Sequence, residues 1–484
     1  MALPTLRLIA FIIGILLLVL AVGMAIPLLT LLQSPQPEVF SAFAWSALIT
    51  LGAGLALVLP GRPEQTHFRP RDMYLLTTLS WGVVCSFAAL PLLLVGRMSY
   101  TDAFFETMSG ITTTGATVLV GLDDLSPGLL LWRSMLHWLG GIGFIGMAVA
   151  ILPLLRVGGM RLFQTESSDW GEKVVPRSHM AANYLLLIYT GLTGLGFFAF
   201  WVAGMSPFDA INHAMASIST GGFSTSDQSL AHWTQPAVHW VAVVMMLIGS
   251  LPFMLFVATL RGNRKVLWHD QQVRGFIGFL LLSWLVLSTW LWLNSDYDWS
   301  VALRLVAVNV TSVVTTTGFA LGDYTAWGNS AMLLFFYLTF VGGCSGSTAG
   351  GLKIFRFQVA YVLLKANLMH LIHPRAVISQ QYNNHRLDED IVRSMITFSF
   401  FFTITIGVLA LALSLIGLDW VTALSSAASA VCNVGPGLGP VVGPAGNFSS
   451  LPDAAKWLLT LGMLLGRLEI LTVLVLVTRT FWKH

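Results

Sequence analysis

Long apolar segments alternate with short polar loops along nearly the whole chain. The first two, residues 9–32 and 40–59, are almost uncharged and are long enough to cross a hydrocarbon core of about 30 Å. Their apolar positions run continuously and do not follow one helical face, which is typical of spanning helices. The pattern therefore predicts an integral membrane protein that begins with a pair of helices.

Beyond this pair, the apolar pattern repeats four times. Each repeat contains two long apolar segments with a shorter one between them. The long segments are residues 73–96 and 128–155, 181–204 and 236–260, 276–294 and 329–352, and 394–416 and 455–479, and the short ones are 102–114, 207–221, 300–317 and 419–434. A ten-residue helix is about 15 Å long, half of the membrane thickness. Each short segment therefore predicts a half-helix that enters the membrane and returns as extended chain.

These repeats predict an all-α membrane fold with about ten transmembrane helices. Four units of helix, half-helix, loop and helix would surround one pore, preceded by the N-terminal helix pair. The expected boundaries are residues 1–65 for the pair and 66–160, 161–265, 266–375 and 376–484 for the repeats. Only in the third repeat is the second long helix expected to be broken.

Composition and charge agree with a membrane protein and indicate its orientation. Charged residues make up only 10% of the chain, against roughly a quarter in soluble domains. Basic stretches lie at residues 61–72, 156–177, 261–274, 353–393 and 479–483, with acidic or neutral loops between them, and Arg97 departs from this pattern. Basic loops usually face the cytoplasm, so both termini are expected there.

The C-terminal ends of the half-helices carry one recurring string of residues. In each copy, a branched aliphatic residue is followed four positions later by glycine, and the glycines are 107, 96 and 117 residues apart. The candidate filter strings are Thr112, Thr113, Thr114 and Gly115; Ser219, Thr220, Gly221 and Gly222; Thr315, Thr316, Thr317 and Gly318; and Cys432, Asn433, Val434 and Gly435. One such string could be a helix end capped by glycine, but four copies between membrane segments indicate a shared function.

These strings have the residue types that a cation pore needs. Non-helical backbone is tolerated at membrane depth only where it is buried in protein or lines a water-filled cavity, and its carbonyl oxygens can replace the hydration shell of a cation. Glycine lets four chains approach closely, and each half-helix directs the partly negative end of its dipole at the pore. Because the fourth string has no hydroxyl group, we expect backbone carbonyls to bind the ion.

A second feature lies toward the cytoplasmic side of the predicted pore. The second long helix of the third repeat has five glycines and three hydroxyl residues within ten positions, and each glycine costs up to about 1 kcal/mol of helix stability relative to alanine. This candidate gate loop comprises Gly342, Gly343, Cys344, Ser345, Gly346, Ser347, Thr348, Ala349, Gly350 and Gly351. Arg467 is expected at a similar depth, about 20 Å into the last long helix. We interpret the loop as a gate and Arg467 as a positive charge that raises the barrier for cations.

Simpler interpretations of the polar residues stay open. The glycine-rich loop could serve close helix packing, and Arg467 could be tied to carbonyls or to an acid on another helix. Glu469 is two residues from Arg467 and points elsewhere on the helix. Arg133 lies near a helix end and is expected to snorkel to the surface, whereas Glu106 and His137 are expected to be satisfied structural groups.

The strings and the loop resemble those of the Trk/Ktr/HKT superfamily of potassium transporters, and within it the TrkH type of bacterial subunit. The resemblance covers essentially the whole chain and implies potassium uptake across the bacterial cytoplasmic membrane through a channel-like, pseudo-fourfold filter with a mobile intramembrane loop. The potassium ligands are then expected, mainly through backbone carbonyls, at Thr113, Thr114, Thr220, Gly221, Thr316, Thr317, Asn433 and Val434. The resemblance also implies a homodimer and a cytosolic nucleotide-binding regulatory subunit of the TrkA type.

A symporter that couples potassium to sodium or protons is the main alternative. Such coupling usually needs acids near the membrane midplane or inverted repeats, whereas these repeats share one orientation and few acids lie deep. An enzyme is disfavoured because the chain has no HExxH, GxSxG, aspartate pair or clustered Cys and His residues. We therefore expect potassium as the transported ion, membrane lipid around the chain, and neither a bound cofactor nor a nucleic acid.

Overall fold

The computed structural model describes residues 3–32, 36–61, 69–95, 98–150, 178–376, 378–383 and 385–483. Within these ranges the chain is helical except for connecting loops and one antiparallel hairpin, β1 (Gln381–Tyr382) and β2 (His385–Arg386). Arg97 and most of the basic stretches 61–72 and 156–177 lie outside the described residues. The orientation inferred from those stretches therefore stays a prediction.

Every repeat contains the predicted succession of long helix, half-helix and second long segment. The N-terminal pair, α1 (Leu3–Gly23) and α2 (Pro37–Val58), precedes repeat 1, which contains α3 (Pro70–Ala88), α4 (Leu90–Leu94), α5 (Tyr100–Ile111) and α6 (Pro127–Ala150). Repeat 2 contains α7 (Ser178–Ala203), α8 (Pro207–Ile218), α9 (Pro236–Gly249) and α10 (Phe253–Leu260). Repeat 3 contains α11 (Val266–His269), α12 (Gln271–Asn294), α13 (Trp299–Val314), α14 (Asn329–Leu338) and α15 (Ile354–Ile372). Repeat 4 contains α16 (Glu389–Leu415), α17 (Trp420–Cys432), α18 (Gly439–Val442), α19 (Asp453–Arg467), α20 (Leu471–Val477) and α21 (Arg479–Trp482).

Among the described residues, six helical segments are long and apolar enough to cross a membrane, and two bent helix pairs could each form a further span. The outward faces of these helices carry large apolar side chains, such as Val202 at 85% exposure and Leu415 at 81%. Such faces suit contact with lipid. Together with α6 and the interrupted segment α14–α15, these helices form the all-α membrane fold that the sequence predicts.

The four half-helices, α5, α8, α13 and α17, end in buried backbone, and all except α13 begin at a side-chain cap. Ser99 and Ser206 accept hydrogen bonds from the backbone N–H groups of Asp102 and Asp209, each at 3.1 Å. Asp419 caps α17 in the same way at 3.0 Å. Hydroxyl and acidic groups suit the partly positive start of a helix. The half-helices end two or three residues earlier than predicted, so the candidate filter strings are mostly non-helical.

The second long segment is broken in three repeats, whereas the sequence predicts a break only in the third. Helices α9 and α10 meet at an angle of 89°, and α19 and α20 meet at 115°. The expectation of continuous helices at residues 236–260 and 455–479 is therefore wrong.

Both additional breaks have physical causes that involve other parts of the chain. In repeat 2, Pro252 has no N–H with which to continue the helix, and the carbonyl of Ser250 accepts a hydrogen bond from Cys344 of repeat 3 at 2.9 Å. In repeat 4, Glu469 leaves the helical conformation with a φ of 57° and pairs with Arg356 of repeat 3. A contact with repeat 3 thus lies at each break: a backbone hydrogen bond at Ser250 and a side-chain ion pair at Glu469.

Candidate functional site

All four candidate filter strings adopt one backbone conformation. In each, the N–H of the residue before the filter glycine donates to a carbonyl five positions earlier. These bonds are Thr114 to Ser109, Gly221 to Ala216 and Thr317 to Ser312, each 2.8 Å, and Val434 to Ser429, 3.0 Å. The fourth string has the same geometry although its side chains differ. What recurs is therefore the path of the backbone.

The residue two positions before each filter glycine lies in the left-handed region. Its φ is 53° at Thr113, 50° at Thr220, 56° at Thr316 and 55° at Asn433. The three threonines are β-branched and rarely adopt this conformation, whose strain costs on the order of 1–3 kcal/mol per residue, whereas asparagine tolerates it. In an ordinary glycine-capped helix the glycine would occupy this position. The first three strings are therefore not simple helix ends, and the fourth follows the same path.

The four filter glycines form a closed ring of backbone contacts between repeats. A Cβ atom on any of them would collide with a carbonyl oxygen of another repeat. Gly435 is the least crowded, and even its Cβ atom would lie only 2.7 Å from the carbonyl oxygen. The pairs are Gly115 with Gly221, Gly222 with Thr317, Gly318 with Val434, and Gly435 with Thr114. Each glycine thus faces the residue that precedes the glycine of the next repeat, and repeat 4 closes the ring onto repeat 1.

A polar side chain from every half-helix holds the chain that follows its filter glycine. We call residues 116–118, 223–225, 319–321 and 436–438 the post-glycine segments. The contacts are Glu106 with the Thr117 hydroxyl and the Val118 N–H, each 2.9 Å; His213 with the Ser224 hydroxyl, 3.0 Å; Asn309 with the Leu321 N–H and carbonyl, each 3.0 Å; and Ser425 with the Leu438 N–H, 3.0 Å.

These contacts are not among the predictions made from the sequence, although the sequence contains a signal for them. The residue nine positions before each filter glycine is polar in all four repeats: Glu106, His213, Asn309 and Ser426. A polar residue at a fixed position in four buried half-helices needs a partner. In repeat 4 the neighbouring Ser425 makes the contact instead.

Arg133 and Glu106 form a buried ion pair beside two of these segments. The Arg133 Nε is 2.8 Å from the Glu106 Oε1, and the side chains are 1% and 0% exposed. The guanidinium also donates to the Ser224 carbonyl at 3.1 Å and to the Thr117 hydroxyl at 3.3 Å, and it lies 4.0 Å from the centroid of the Phe223 ring. The prediction that Arg133 snorkels to the surface is wrong because its partners are buried, whereas Glu106 is satisfied as predicted.

His137 of α6 occupies the space beside Gly221. Its ring centroid is 4.0 Å from that of Phe223, and a Cβ atom on Gly221 would overlap the imidazole. Repeats 1 and 3 have Thr114 and Thr317 at the position of Gly221. In repeat 2 the imidazole takes the volume of that side chain, which explains why only glycine fits.

Replacing Gly221 with threonine is therefore expected to reduce cation flux. Overpacking a buried site typically costs 1–3 kcal/mol, so we expect a loss of about tenfold or more. The double variant Gly221→Thr with His137→Ala should regain part of the flux, because it restores the residue of repeats 1 and 3 and removes the obstacle. Flux into liposomes measures both effects. A double variant no better than Gly221→Thr alone would contradict the role of His137 as the obstacle.

The candidate gate loop, residues 342–351, packs directly against the filter strings. The Gly350 N–H donates to the Thr316 hydroxyl at 2.7 Å, and a Cβ atom on Gly350 would collide with the Cys432 carbonyl. The Thr220 hydroxyl donates to the Thr348 hydroxyl at 3.2 Å. The loop thus contacts the strings of repeats 2, 3 and 4.

The break between α9 and α10 provides backbone partners for the same loop. The Cys344 N–H donates to the Ser250 carbonyl at 2.9 Å, and the Phe253 N–H donates to the Gly346 carbonyl at 3.0 Å. Gly346 has a φ of 73°, a conformation that glycine adopts without strain. Buried non-helical backbone needs such partners, and the two broken segments supply them to each other.

Two buried cations bind consecutive carbonyls of the gate loop. The Arg467 Nη1 donates to the Thr348 carbonyl at 2.8 Å, and the Lys353 Nζ donates to the Ala349 carbonyl at 2.6 Å. Both cations lie over the Phe144 ring, at 4.0 Å and 4.9 Å from its centroid. Arg467 is tied to a carbonyl, as the simpler interpretation expected, and that carbonyl belongs to the loop. No sequence pattern assigns Lys353 a role.

Glu469 points away from Arg467, as expected, and pairs with Arg356 of α15, a partner that the sequence does not predict. The two side chains are 2.9 Å apart and are 4% and 3% exposed. The pair links the break in repeat 4 to the helix that follows the gate loop. Arg467 therefore keeps its charge beside the loop without a carboxylate from Glu469.

The fold and this site define a class: helical membrane proteins in which four repeated backbone strings meet in one ring, with a loop and buried cations beside it. A family model described as TrkH, cation transport protein, matches residues 39–483. The chain belongs to this family, as its resemblance implied.

Individual relatives agree with this assignment. The Trk system potassium uptake protein TrkI of Halomonas elongata is 54% identical over 475 residues, which cover 98% of this chain and 96% of that protein. The Trk system potassium uptake protein TrkH of Escherichia coli K12 is 38% identical over 484 residues, with 99% of both chains covered. The crystal structure of the potassium transporter TrkH from Vibrio parahaemolyticus matches with a TM-score of 0.91 and 36% identity, covering 99% of this chain and 100% of that one. The predicted fold and the class of transporter, as opposed to enzyme, are confirmed.

Proposed function

We propose that this protein takes up potassium across the cytoplasmic membrane of a bacterium through a channel-like pore. The observation that carries the proposal is the closed ring of contacts between filter glycines and carbonyls. Such a ring brings four equivalent stretches of non-helical backbone together, which is the arrangement in which carbonyl oxygens can replace the hydration shell of potassium. The relatives named as potassium uptake proteins support the choice of ion.

In this proposal, backbone carbonyls of the four strings bind the ion. The ligands are those of Thr113, Thr114, Thr220, Gly221, Thr316, Thr317, Asn433 and Val434. Support comes from the backbone geometry that the strings share despite different side chains. The C-terminal ends of four half-helices add partial negative charge that favours a cation.

The gate in this proposal is the loop 342–351 together with Arg467 and Lys353. A buried positive charge near the ion path raises the barrier for a cation, and this site has two. Opening requires the loop to leave the strings, which breaks the bonds of Gly350 to Thr316 and of Arg467 to Thr348. The described arrangement therefore corresponds to a state of low flux.

We further propose four pore-forming repeats at residues 66–160, 161–265, 266–375 and 376–484, with both termini in the cytoplasm. A homodimer and a regulatory nucleotide-binding subunit of the TrkA type complete the proposed assembly. The names of the relatives, which refer to a Trk system, support the existence of further components. Arg261, Arg264 and Lys265, between α10 and α12, and Arg274, in the first turn of α12, form a basic region that suits a cytoplasmic location.

Flux into liposomes tests the proposal against ion-coupled symport. Purified protein should pass potassium down its electrochemical gradient in sodium-free buffer, and a protonophore that removes the proton gradient should leave the flux unchanged. Protein-free liposomes and the variant Gly222→Ala are the controls. A flux that requires a sodium or proton gradient would contradict a channel-like pore and support the symporter.

A further inference from the structure

The buried pair of Glu106 and Arg133 connects the post-glycine segments of two repeats. The Glu106 carboxylate accepts hydrogen bonds from the Thr117 hydroxyl and the Val118 N–H of repeat 1. Arg133 donates to the Ser224 carbonyl of repeat 2. One ion pair thus contacts the segments that follow Gly115 in repeat 1 and Gly222 in repeat 2.

In the other repeats the side chain that takes the place of Glu106 is an uncharged one, His213, Asn309 or Ser425. Repeat 2 also has a carboxylate, because Asp209 accepts a hydrogen bond from the Thr225 hydroxyl at 2.6 Å, but among the described residues Asp209 has no cationic partner there. Among the residues that the structure describes, only Glu106 and Arg133 use buried opposite charges for this purpose.

A buried ion pair is an expensive way to stabilise a fold. Removing each ion from water costs several kcal/mol, and well-packed apolar residues often stabilise a protein equally well. Here the polar groups of the pair contact the post-glycine segments. The carboxylate contacts Thr117 and Val118, and the guanidinium contacts Thr117 and Ser224. The geometry therefore points to positioning of the filter more than to general stability.

We infer that Glu106 and Arg133 are positioning residues that determine how strongly the filter prefers potassium to sodium. The inference rests on the proposed potassium pore. Sodium is the smaller ion and needs closer oxygens, so a filter whose strands are held at a fixed spacing disfavours it. The pair provides this restraint between repeats 1 and 2.

The ratio of potassium to sodium flux in liposomes tests the inference. The variants are Glu106→Gln, Arg133→Met and the double variant that combines them. We expect the ratio to fall roughly tenfold in each, which corresponds to about 1.4 kcal/mol of discrimination. The double variant has no unpaired buried charge, but methionine cannot donate to the Ser224 carbonyl, so its ratio should stay low.

Two further variants separate positioning from folding. Thr117→Val removes one hydroxyl that both charged groups contact, and it should lower the ratio to a smaller extent without unpairing a charge. The matched control is the double variant Arg356→Met with Glu469→Gln, which removes a buried ion pair of similar length, 2.9 Å, beside the gate. Its total flux should change while its flux ratio stays that of the wild type.

The possible results distinguish the inference from the proposed function. A selective wild type with unchanged ratios in the Glu106, Arg133 and Thr117 variants would overturn the inference alone. So would a double variant that regains the wild-type ratio, because that result would assign the pair a merely structural role. A wild type that does not prefer potassium would overturn the proposed function as well.

Discussion

Gly222→Ala is expected to lower potassium flux or its selectivity at least tenfold while the protein still inserts in the membrane. The added Cβ atom would collide with the Thr317 carbonyl, and the φ of 80° at Gly222 is unfavourable for alanine. The left-handed conformation alone costs roughly 1–2 kcal/mol, which already corresponds to about tenfold. Because the collision partner is a filter carbonyl, the strain acts on the proposed ion ligands themselves.

The same substitution at the other filter glycines should follow the order of crowding. A Cβ atom on Gly115 or Gly318 would approach a carbonyl oxygen slightly less closely than one on Gly222, and a Cβ atom on Gly435 would lie 2.7 Å from the Thr114 carbonyl. Gly435→Ala should therefore be the mildest of the four. Flux of potassium and sodium into liposomes measures the effect.

Gly322→Ala is the matched control for these variants. Gly322 lies four residues beyond Gly318 and has a φ of 75°, but its Cβ position is open. It therefore introduces the same backbone strain without a collision at the filter. We expect wild-type selectivity in Gly322→Ala, and wild-type selectivity in all four filter variants would refute the assignment of the filter.

Arg467→Ala is expected to raise potassium flux roughly tenfold. The substitution removes a buried positive charge and the hydrogen bond to the Thr348 carbonyl that holds the gate loop. A unit charge at ~10 Å in surroundings of effective dielectric ~20 is worth on the order of 1–2 kcal/mol, the equivalent of about tenfold in rate. Deletion of part of the loop 342–351 should raise flux as well, because the loop packs against three filter strings.

Lys353→Ala should act in the same direction as Arg467→Ala, and the double variant should exceed either. Lys456→Ala is the matched control. Lys456 is a buried cation in α19, the helix that contains Arg467, but it pairs with Asp102 at the start of the first half-helix. Its removal should not raise flux. Unchanged flux in both Arg467→Ala and the loop deletion would count against a gate at this position.

Much of the site was accessible from the sequence because its signals are local and repeated. The strings at Gly115, Gly222, Gly318 and Gly435 recur at similar spacing between apolar segments, and the non-helical backbone there follows from residues next to one another. The glycine content of residues 342–351 likewise predicted a break in a helix. Repetition turned four weak local signals into one strong one.

The partners of buried polar groups were not accessible in this way. Arg133 was expected at the surface because its distance from the helix end was known and the position of Glu106 was not. Nothing in the neighbours of Lys353 along the chain places it over Phe144, so the sequence assigns it no role. The bends at Ser250 and Glu469 have partners in repeat 3, the Cys344 N–H and the Arg356 side chain.

The sequence by itself determined the succession of long and short apolar helices, the ends of the four half-helices to within three residues and the break at residues 342–351. These properties follow from apolar length, helix propensity and chain geometry, which are local. Only the tertiary structure decided that the four glycines close a ring, that the gate loop binds Thr316 and that Glu106 meets Arg133. Those contacts join residues from different repeats, and their geometry depends on how buried helices pack, which no local pattern specifies.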